Sequence, residues 1–359
     1  MPDFKPKIIQ INSSSDVGGG PQVMWDIIEG LKNFFQFVVI TPKGPFLEKY
    51  QKAGIKTYPV SIRSFNPFLI LKIRKILKKE KPDLIHTHGK GAGIWGRLAA
   101  HHTKILVVHT PHGLHYREYN RFFRFFYFIL EKWLSKQTTK IVNVSESERK
   151  EALNFRLHSP EKSIVIPNGI DIESFSKFKL SPSQNILINI GRLNPQKNQK
   201  ELIEIMRYLP DNITLKIVGE GQERRKIENL IKKYGLEKRV KLTGSLSRKE
   251  TLNLLAKSKI YVSSSLWEGL PLTLLEAGAL GIPIVATKVT GNIDIIEDNN
   301  SGFLYENGSP RQAAEKIKKL LMDKELYQKI SKNIKEAVKE KFSLEKMIKD
   351  YKNLYQSLV

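Results

Sequence analysis

Cysteine is absent from the 359 residues, which excludes disulfides, thiolate nucleophiles and cysteine-ligated metal sites. There is also no Asp-x-Asp pair of the kind that would hold a divalent cation against a diphosphate. No run approaches the roughly 18 uncharged apolar residues that a bilayer-spanning helix needs. The opening MPDFKPKIIQINSSS lacks the apolar region of a signal peptide, so a cytoplasmic protein is expected. Acidic residues are scarce relative to basic ones: 36 Asp and Glu stand against 60 Lys and Arg, a formal charge of +24. The excess is spread over both halves with no basic tail, which argues against a disordered nucleic-acid arm. It concentrates in KIRKILKKEK, residues 72–81, and in YREYNRFFRFFYFILEKWLSK, residues 116–136. The second stretch has seven aromatics between Phe122 and Trp133, too many to share one stripe of a helix. Two readings stay open for it: the core face of a helix, or a segment at an anionic membrane surface with aromatics dipping in and cations meeting lipid.

With 40% hydrophobic residues, the chain has enough apolar material for two cores, and its length exceeds what one usually supports. Strand-length apolar runs fall at 7–12, 36–41, 57–60, 83–87, 105–110 and 140–144, and again at 185–190, 214–218, 239–243, 260–264 and 283–287. Segments of helical periodicity fill the gaps, among them 23–32, 70–80, 197–207, 223–234 and 248–257. The alternation predicts an α/β chain of two doubly wound parallel-sheet domains facing a cleft, where such folds bind ligands. The polar stretch DIESFSKFKLSPSQN, residues 171–185, separates the two series. The expected domains are residues 1–175 and 185–340, with 341–359 a C-terminal helix crossing back to pack on the N-terminal domain.

Several loops after strands carry residues suited to chemistry. Gly18, Gly19 and Gly20 stand between the first strand and first helix, where backbone can approach a phosphate, though the spacing is not G-x-G-x-x-G and a plain loop remains open. In GRLNPQKNQKEL, Arg192 and Lys197 flank a turn containing Pro195; they are either surface charges or a pair suited to a diphosphate. His86 and His88, and His109, His112 and His115, each follow a strand. Hydrogen bonding at the cleft fits them better than metal ligation, which needs three or four convergent groups. Glu268 is expected in a strand-to-helix turn and Glu276 inside the following helix, which Pro271 would open in its first turn. Eight residues of continuous helix would hold these acids about 12 Å apart, fit for two ends of one extended ligand.

In order along the chain, GGGPQVMWDIIEGL, KPDLIHTHGKGAGIWGRLAA, HTPHG, VSESER, IPNGID, GRLNPQKN, IVGEGQERRKIENLIKKYGL, VKLTG and WEGLPLTLLEAGALGIPIVAT resemble the retaining, nucleotide-sugar-dependent glycosyltransferases of family 4. The resemblance covers nearly the whole chain, and Glu268 to Glu276 corresponds to that family's E-x7-E element. It implies the GT-B architecture of two Rossmann-like domains, the N-terminal one binding acceptor and the C-terminal one the nucleotide-sugar. It implies that Glu276 binds the ribose hydroxyls, that Glu268 and His112 face the donor sugar, and that Arg192 and Lys197 neutralise the leaving diphosphate without a metal. The backbone of Gly269, Leu270, Pro271, Leu272 and Thr273, with Gly19 and Gly20, completes the implied donor site; which of Gly18 to Gly20 meets phosphate stays open by one position. The implied activity is transfer with retention from a nucleotide-sugar, UDP-linked in preference to GDP-linked, to a glycan or polyprenyl-linked acceptor at the inner face of the membrane. The expected partners are therefore the donor, that acceptor and an anionic membrane surface, with no nucleic acid and no cofactor. A nucleotide-sugar 2-epimerase and, in another class, a basic nucleic-acid-binding protein are the alternatives.

Overall fold

The computed structural model describes residues 5–62, 66–178, 180–182 and 185–359. It divides into two compact units, Met1–Gly169 with Leu344–Val359, and Ile170–Ser343. The first unit holds β1 (Lys7–Asn12), β2 (Gln36–Thr41), β3 (Lys56–Pro59), β4 (Leu84–His88), β5 (Leu106–Thr110), β6 (Lys140–Asn143) and β7 (Ser163–Val165). They form one parallel sheet in the order β3-β2-β1-β4-β5-β6-β7. The second unit holds β8 (Ile186–Ile190), β9 (Thr214–Val218), β10 (Val240–Gly244), β11 (Ile260–Ser263), β12 (Ile284–Thr287) and β13 (Phe303–Tyr305), in the order β10-β9-β8-β11-β12-β13. Every pairing between these strands is parallel too.

Helices cover both faces, which is why strands such as β4 and β12 are buried at every residue. In each sheet the strand order reverses beside the first strand, between β1 and β4 and between β8 and β11. The loops at the carboxyl ends of those four strands are therefore where a ligand is expected, and they carry the residues singled out by the sequence.

The chain divides at Gly169/Ile170, ahead of the polar stretch 171–185, parts of which (179, 183 and 184) lie outside the described residues. Ile170 already belongs with the second unit because its amide bonds to the Phe342 carbonyl at 3.0 Å. Phe175, in the turn Ile172–Lys177, is buried beside the helix Leu272–Ala279. The helix Leu344–Gln356 is part of the first unit, with Met347, Tyr351, Leu354 and Tyr355 buried. Ile348 sits so close to Gly30 that a side-chain carbon there would meet it at 2.8 Å.

Candidate active site

In the second unit the loops after β8 and β11 are stitched together by their own backbone. Leu266 donates its amide to Gln196 O at 2.8 Å, Gln196 Nε2 bonds to Trp267 O at 2.9 Å, and Ser264 Oγ bonds to the Lys197 and Asn198 carbonyls, both at 3.0 Å. The helix begins at Gln199 rather than at Lys197, so Lys197 stays in the loop. Its ammonium donates to Glu268 Oε1 at 2.5 Å, and its side-chain carbons run over Gly191. Arg192, beside it in sequence, is exposed and makes no ion pair among the described residues.

Glycine is required where the neighbouring loops close in. A side-chain carbon on Gly219 would lie 2.1 Å from Gly191 O, and one on Gly291 would lie 2.3 Å from Gly269 O. Both glycines have positive φ, 137° and 84°.

Pro271 caps the helix Leu272–Ala279 instead of opening its first turn, so Glu268 lies four residues ahead of that helix and Glu276 in its second turn. No continuous helix joins the two acids, and the 12 Å separation expected of one does not apply. The Leu274 and Leu275 amides bond to the Pro271 carbonyl at 3.1 and 3.4 Å, so only the amides of Leu272 and Thr273 precede the ladder of the helix. Glu276 is buried and bonds to the Arg248 guanidinium at 2.7 Å. Burial pushes its carboxyl above the usual carboxylate range, and Arg248 partly offsets that. Thr273 accepts a hydrogen bond from the buried Tyr261 hydroxyl at 2.9 Å, which fixes the start of the helix to β11.

In the first unit the loops after β1, β4 and β5 bring together Asn12, Gly20, His88 and His112. A side-chain carbon at Gly20 would sit 3.9 Å from both Asn12 Nδ2 and the His112 ring, so the glycine leaves a space bordered by the two. Asn12 accepts from the Ser14 amide at 3.0 Å, while its buried Nδ2 has no partner among the described residues. Gly19 and Gly20 open a 13-residue helix. His112 holds a left-handed backbone, φ 57°, sustained because Glu148 accepts the Gly113 amide at 2.6 Å and the Val144 amide at 2.7 Å. The imidazoles turn toward hydrogen-bonding neighbours: His86 to Tyr355 and Thr110, His88 to Gln10 and His112, His109 to Thr87. Burial holds His86, His88 and His109 well below the usual imidazole range. The side chain of His115 lies outside the described residues.

Sequence reasoning missed Asn12, Gln10, Arg248 and Tyr355. Asn12 ends a strand and precedes a polar Ser-Ser-Ser run, which could have marked it; Arg248 and Tyr355 carry no local signal, since their partners lie 28 and 345 residues away.

The aromatic stretch forms the helix Arg121–Lys136, capped by Asn120. Its buried side holds Tyr127, Glu131, Leu134 and Ser135, and Glu131 there pairs with buried Arg97 at 2.8 Å. Phe122, Phe126, Ile129 and Trp133, spaced at helical intervals, form one exposed stripe, with Phe123 and Phe125 exposed beside it. Phe125 and Ile129 continue into exposed Lys132 and Lys136. Of the seven aromatics only Tyr127 is buried, so the outward side of the helix is apolar rather than polar. No described helix is long and apolar enough to cross a membrane.

Two Rossmann-like units with this strand order, and with paired acids and cations at the strand ends of the second, define a glycosyltransferase of the GT-B kind. Residues 171–337 match the glycosyl transferases group 1 family and residues 17–174 match glycosyltransferase family 4, and the chain belongs to this family. It is 31% identical to an Escherichia coli UDP-Gal:alpha-D-GlcNAc-diphosphoundecaprenol alpha-1,3-galactosyltransferase, covering 81% of this chain and 79% of that protein. It is 27% identical to the capsular polysaccharide biosynthesis glycosyltransferase CapM of Staphylococcus aureus, covering 89% and 90%. In fold it is similar to Anabaena Alr3699/HepE, solved with UDP and glucose, at a TM-score of 0.85 and 21% identity over 98% of this chain and all of that one.

Proposed function

We propose that the enzyme transfers a sugar, with retention, from a UDP-sugar to a lipid-linked glycan acceptor in cell-surface polysaccharide synthesis, and needs no metal to do so. The observation that carries this is the second unit's loop pair, where Lys197 is held on Glu268, four residues ahead of the helix Leu272–Ala279, and Arg192 is exposed in the same loop as Lys197. Two cations and the leading amides of that helix suit a diphosphate, whose charge grows as the sugar–oxygen bond breaks. In this reading the incoming diphosphate takes Lys197 from Glu268, and the released carboxylate turns to the sugar hydroxyls. Glu276 likewise exchanges Arg248, whose side chain is 59% exposed, for the ribose. The Arg248 exchange costs little because that cation is largely solvated, whereas the more buried Lys197 pair opens only as the diphosphate and sugar hydroxyls replace the lost partners. His112 is assigned the donor sugar, and the backbone of Gly269 to Thr273 and of Gly19 and Gly20 supplies further donors.

The printed activity of the E. coli relative, which acts on a diphosphoundecaprenol-linked sugar, supports a lipid-linked acceptor here. The outward stripe Phe122, Phe126, Ile129 and Trp133, with Lys132 and Lys136 alongside, supports docking at an anionic membrane surface. Replacing Phe122, Phe125 and Phe126 together by Ser should leave donor hydrolysis intact and sharply reduce co-sedimentation with phosphatidylglycerol vesicles; unchanged sedimentation would remove this helix from the membrane reading.

The activity itself is tested by incubating the protein with UDP-sugars and a short polyprenyl-diphosphate-linked sugar in EDTA. The expected product has the donor's anomeric configuration, read from the anomeric proton coupling. An inverted product, or transfer that EDTA abolishes, would contradict the mechanism.

A further inference from the structure

The helix Arg121–Lys136 follows β5 by way of residues 111–120, and β5 runs parallel to β4, so its first turns lie at the ligand-binding edge of the first sheet. At that edge Tyr116 is buried with Leu114, Tyr127, Ala152 and Leu157. Its hydroxyl donates to Glu151 and accepts from Arg117 Nε at 3.1 Å, which fixes the ring. Two guanidinium groups face this ring, Arg117 at 5.5 Å and Arg124 at 5.3 Å from its centre. They are not equivalent. Arg117 is paired with Glu151 at 3.0 Å, whereas Arg124 has no carboxylate partner among the described residues and its Nε is buried without a hydrogen-bond acceptor. An N–H left in that state is costly, and a guanidinium offers a planar fork that fits two oxygens of a phosphate. Arg121, three residues earlier and so a neighbour on the helix surface, is exposed and likewise makes no ion pair among the described residues.

From this cationic end the helix surface turns apolar. Phe122 meets Phe126 edge-on with ring centres 5.0 Å apart, Phe125 meets Phe126 at 5.7 Å, and exposed Ile129 and Trp133 continue the stripe. Eleven helical residues from Phe122 to Trp133 span about 16 Å. A free anion would leave the stripe uncovered, and a neutral lipid would leave Arg124 without an acceptor. Self-association through the stripe would set Arg121, Arg124, Lys132 and Lys136 against their own copies, and Glu131, the one acid of the helix, is already buried on Arg97. A phosphate ester of a long hydrocarbon chain satisfies both halves.

We propose that Arg124, laid on the Tyr116 ring, and Arg121 bind the diphosphate of a polyprenyl-linked acceptor, and that Phe122, Phe126 and Ile129 carry the first part of its chain. This rests on the reading of the acceptor as lipid-linked. It adds to general docking at an anionic surface a fixed headgroup site at one end of the helix.

The test is calorimetric binding of farnesyl diphosphate to the full chain without any donor, beside farnesol and inorganic diphosphate. Farnesyl diphosphate should bind more tightly than either fragment. Arg124→Gln should weaken it about 10–100-fold, and Arg124→Lys, which keeps the charge but loses the fork, should fall between. Lys197→Ala, in the other unit, should leave this binding unmoved. Co-sedimentation of Arg124→Gln with phosphatidylglycerol vesicles should fall far less than its binding of farnesyl diphosphate. An equal fall in both would make Arg124 part of a general membrane surface and overturn the proposal. So would inorganic diphosphate binding as tightly as farnesyl diphosphate, or a dimer in sedimentation velocity that Phe122→Ser dissociates and that binds no farnesyl diphosphate. The wild-type comparison of the three probes decides the matter even if Arg124→Gln fails to fold. Absent UDP-sugar binding beside intact, Arg124-dependent farnesyl diphosphate binding would show that the transferase reading had failed and this site had not.

Discussion

The two units use the same topological positions for opposite kinds of chemistry. At the reversal point of the second sheet stand ions: Lys197 on Glu268 and Arg248 on Glu276, each pair joining a buried carboxylate to a cation that solvent reaches. At the reversal point of the first sheet stand neutral groups: Gln10, His88, His86 and Tyr355, all buried and bonded to one another. The sheet order fixes where a ligand is met, and the side chains fix what can happen there. In the proposed reading the incoming diphosphate and ribose supply new partners for the buried carboxylates and cations as these pairs open. A closed line of buried neutral groups cannot be exchanged cheaply, since each orphaned partner would bear a desolvation penalty.

If that contrast is right, removing a charge from the second unit should damage the reaction far more than it damages the fold. The largest effect is expected for Lys197→Ala: loss of one electrostatic donor at the leaving group should lower kcat/KM by about 10²–10³-fold, a far larger relative effect than the fall in Tm from leaving the buried Glu268 carboxylate without this partner. A fall in Tm without a fall in turnover would assign Lys197 to the fold instead.

Glu276→Gln sharpens the comparison by separating binding from stability. In the proposed reading Glu276 accepts from the ribose hydroxyls, so its replacement by a neutral amide should weaken UDP binding about tenfold, read by calorimetry. Stability should move the other way. Because burial raises the Glu276 carboxyl in the folded state, the folded protein binds that proton more tightly than the unfolded chain does. Wild-type stability therefore falls as pH rises from the unfolded value of about 4.5 through the folded one, then levels off. Gln escapes this fall, so the Tm of Glu276→Gln should exceed that of wild type by a margin that grows across this window. A constant margin would mean that Arg248 fully compensates the burial.

The smallest effect belongs to the first unit. Gly20→Ala meets only ordinary contacts, at 3.9 Å, and lies within a helix. It should therefore raise stability by up to about 0.5–1 kcal/mol. Yet it fills the space between Asn12 Nδ2 and His112, and KM for the UDP-sugar should rise. A variant more stable and equally active would show that this space is not used.

Much of this was legible in the sequence for identifiable reasons. Runs such as KIIQIN, QFVVIT and TLKIV read as strands because each is bounded by turn residues and buried nearly throughout, and β1, β2 and β9 fall at the expected residues. β7 and β13 were not anticipated, since three residues apiece leave no periodicity to detect. The helices Pro310–Met322 and Lys324–Lys341 were also passed over, although both have apolar residues at helical spacing. Seven crowded aromatics told of a helix but not of its outward side, because composition does not say which of them a neighbouring element covers.

Glu268, Arg192 and Lys197 stood out because each sits where a strand gives way to a helix, and Glu276 because it follows Glu268 into that helix. What local pattern could not supply was their partners. Arg248 reaches Glu276 from another helix, and Tyr355 reaches Gln10 and His86 from the far end of the chain. Contacts of that separation are set by packing, so the ion pairs and the line of buried hydrogen bonds emerged only in three dimensions.

The most direct test of the central claim is a thermal-shift comparison of UDP-, GDP-, ADP- and CDP-sugars with EDTA present. The account predicts a rise in Tm with a UDP-sugar, unaffected by EDTA and lost in Glu276→Ala. No rise with any nucleotide sugar, in protein shown to be folded, would contradict it.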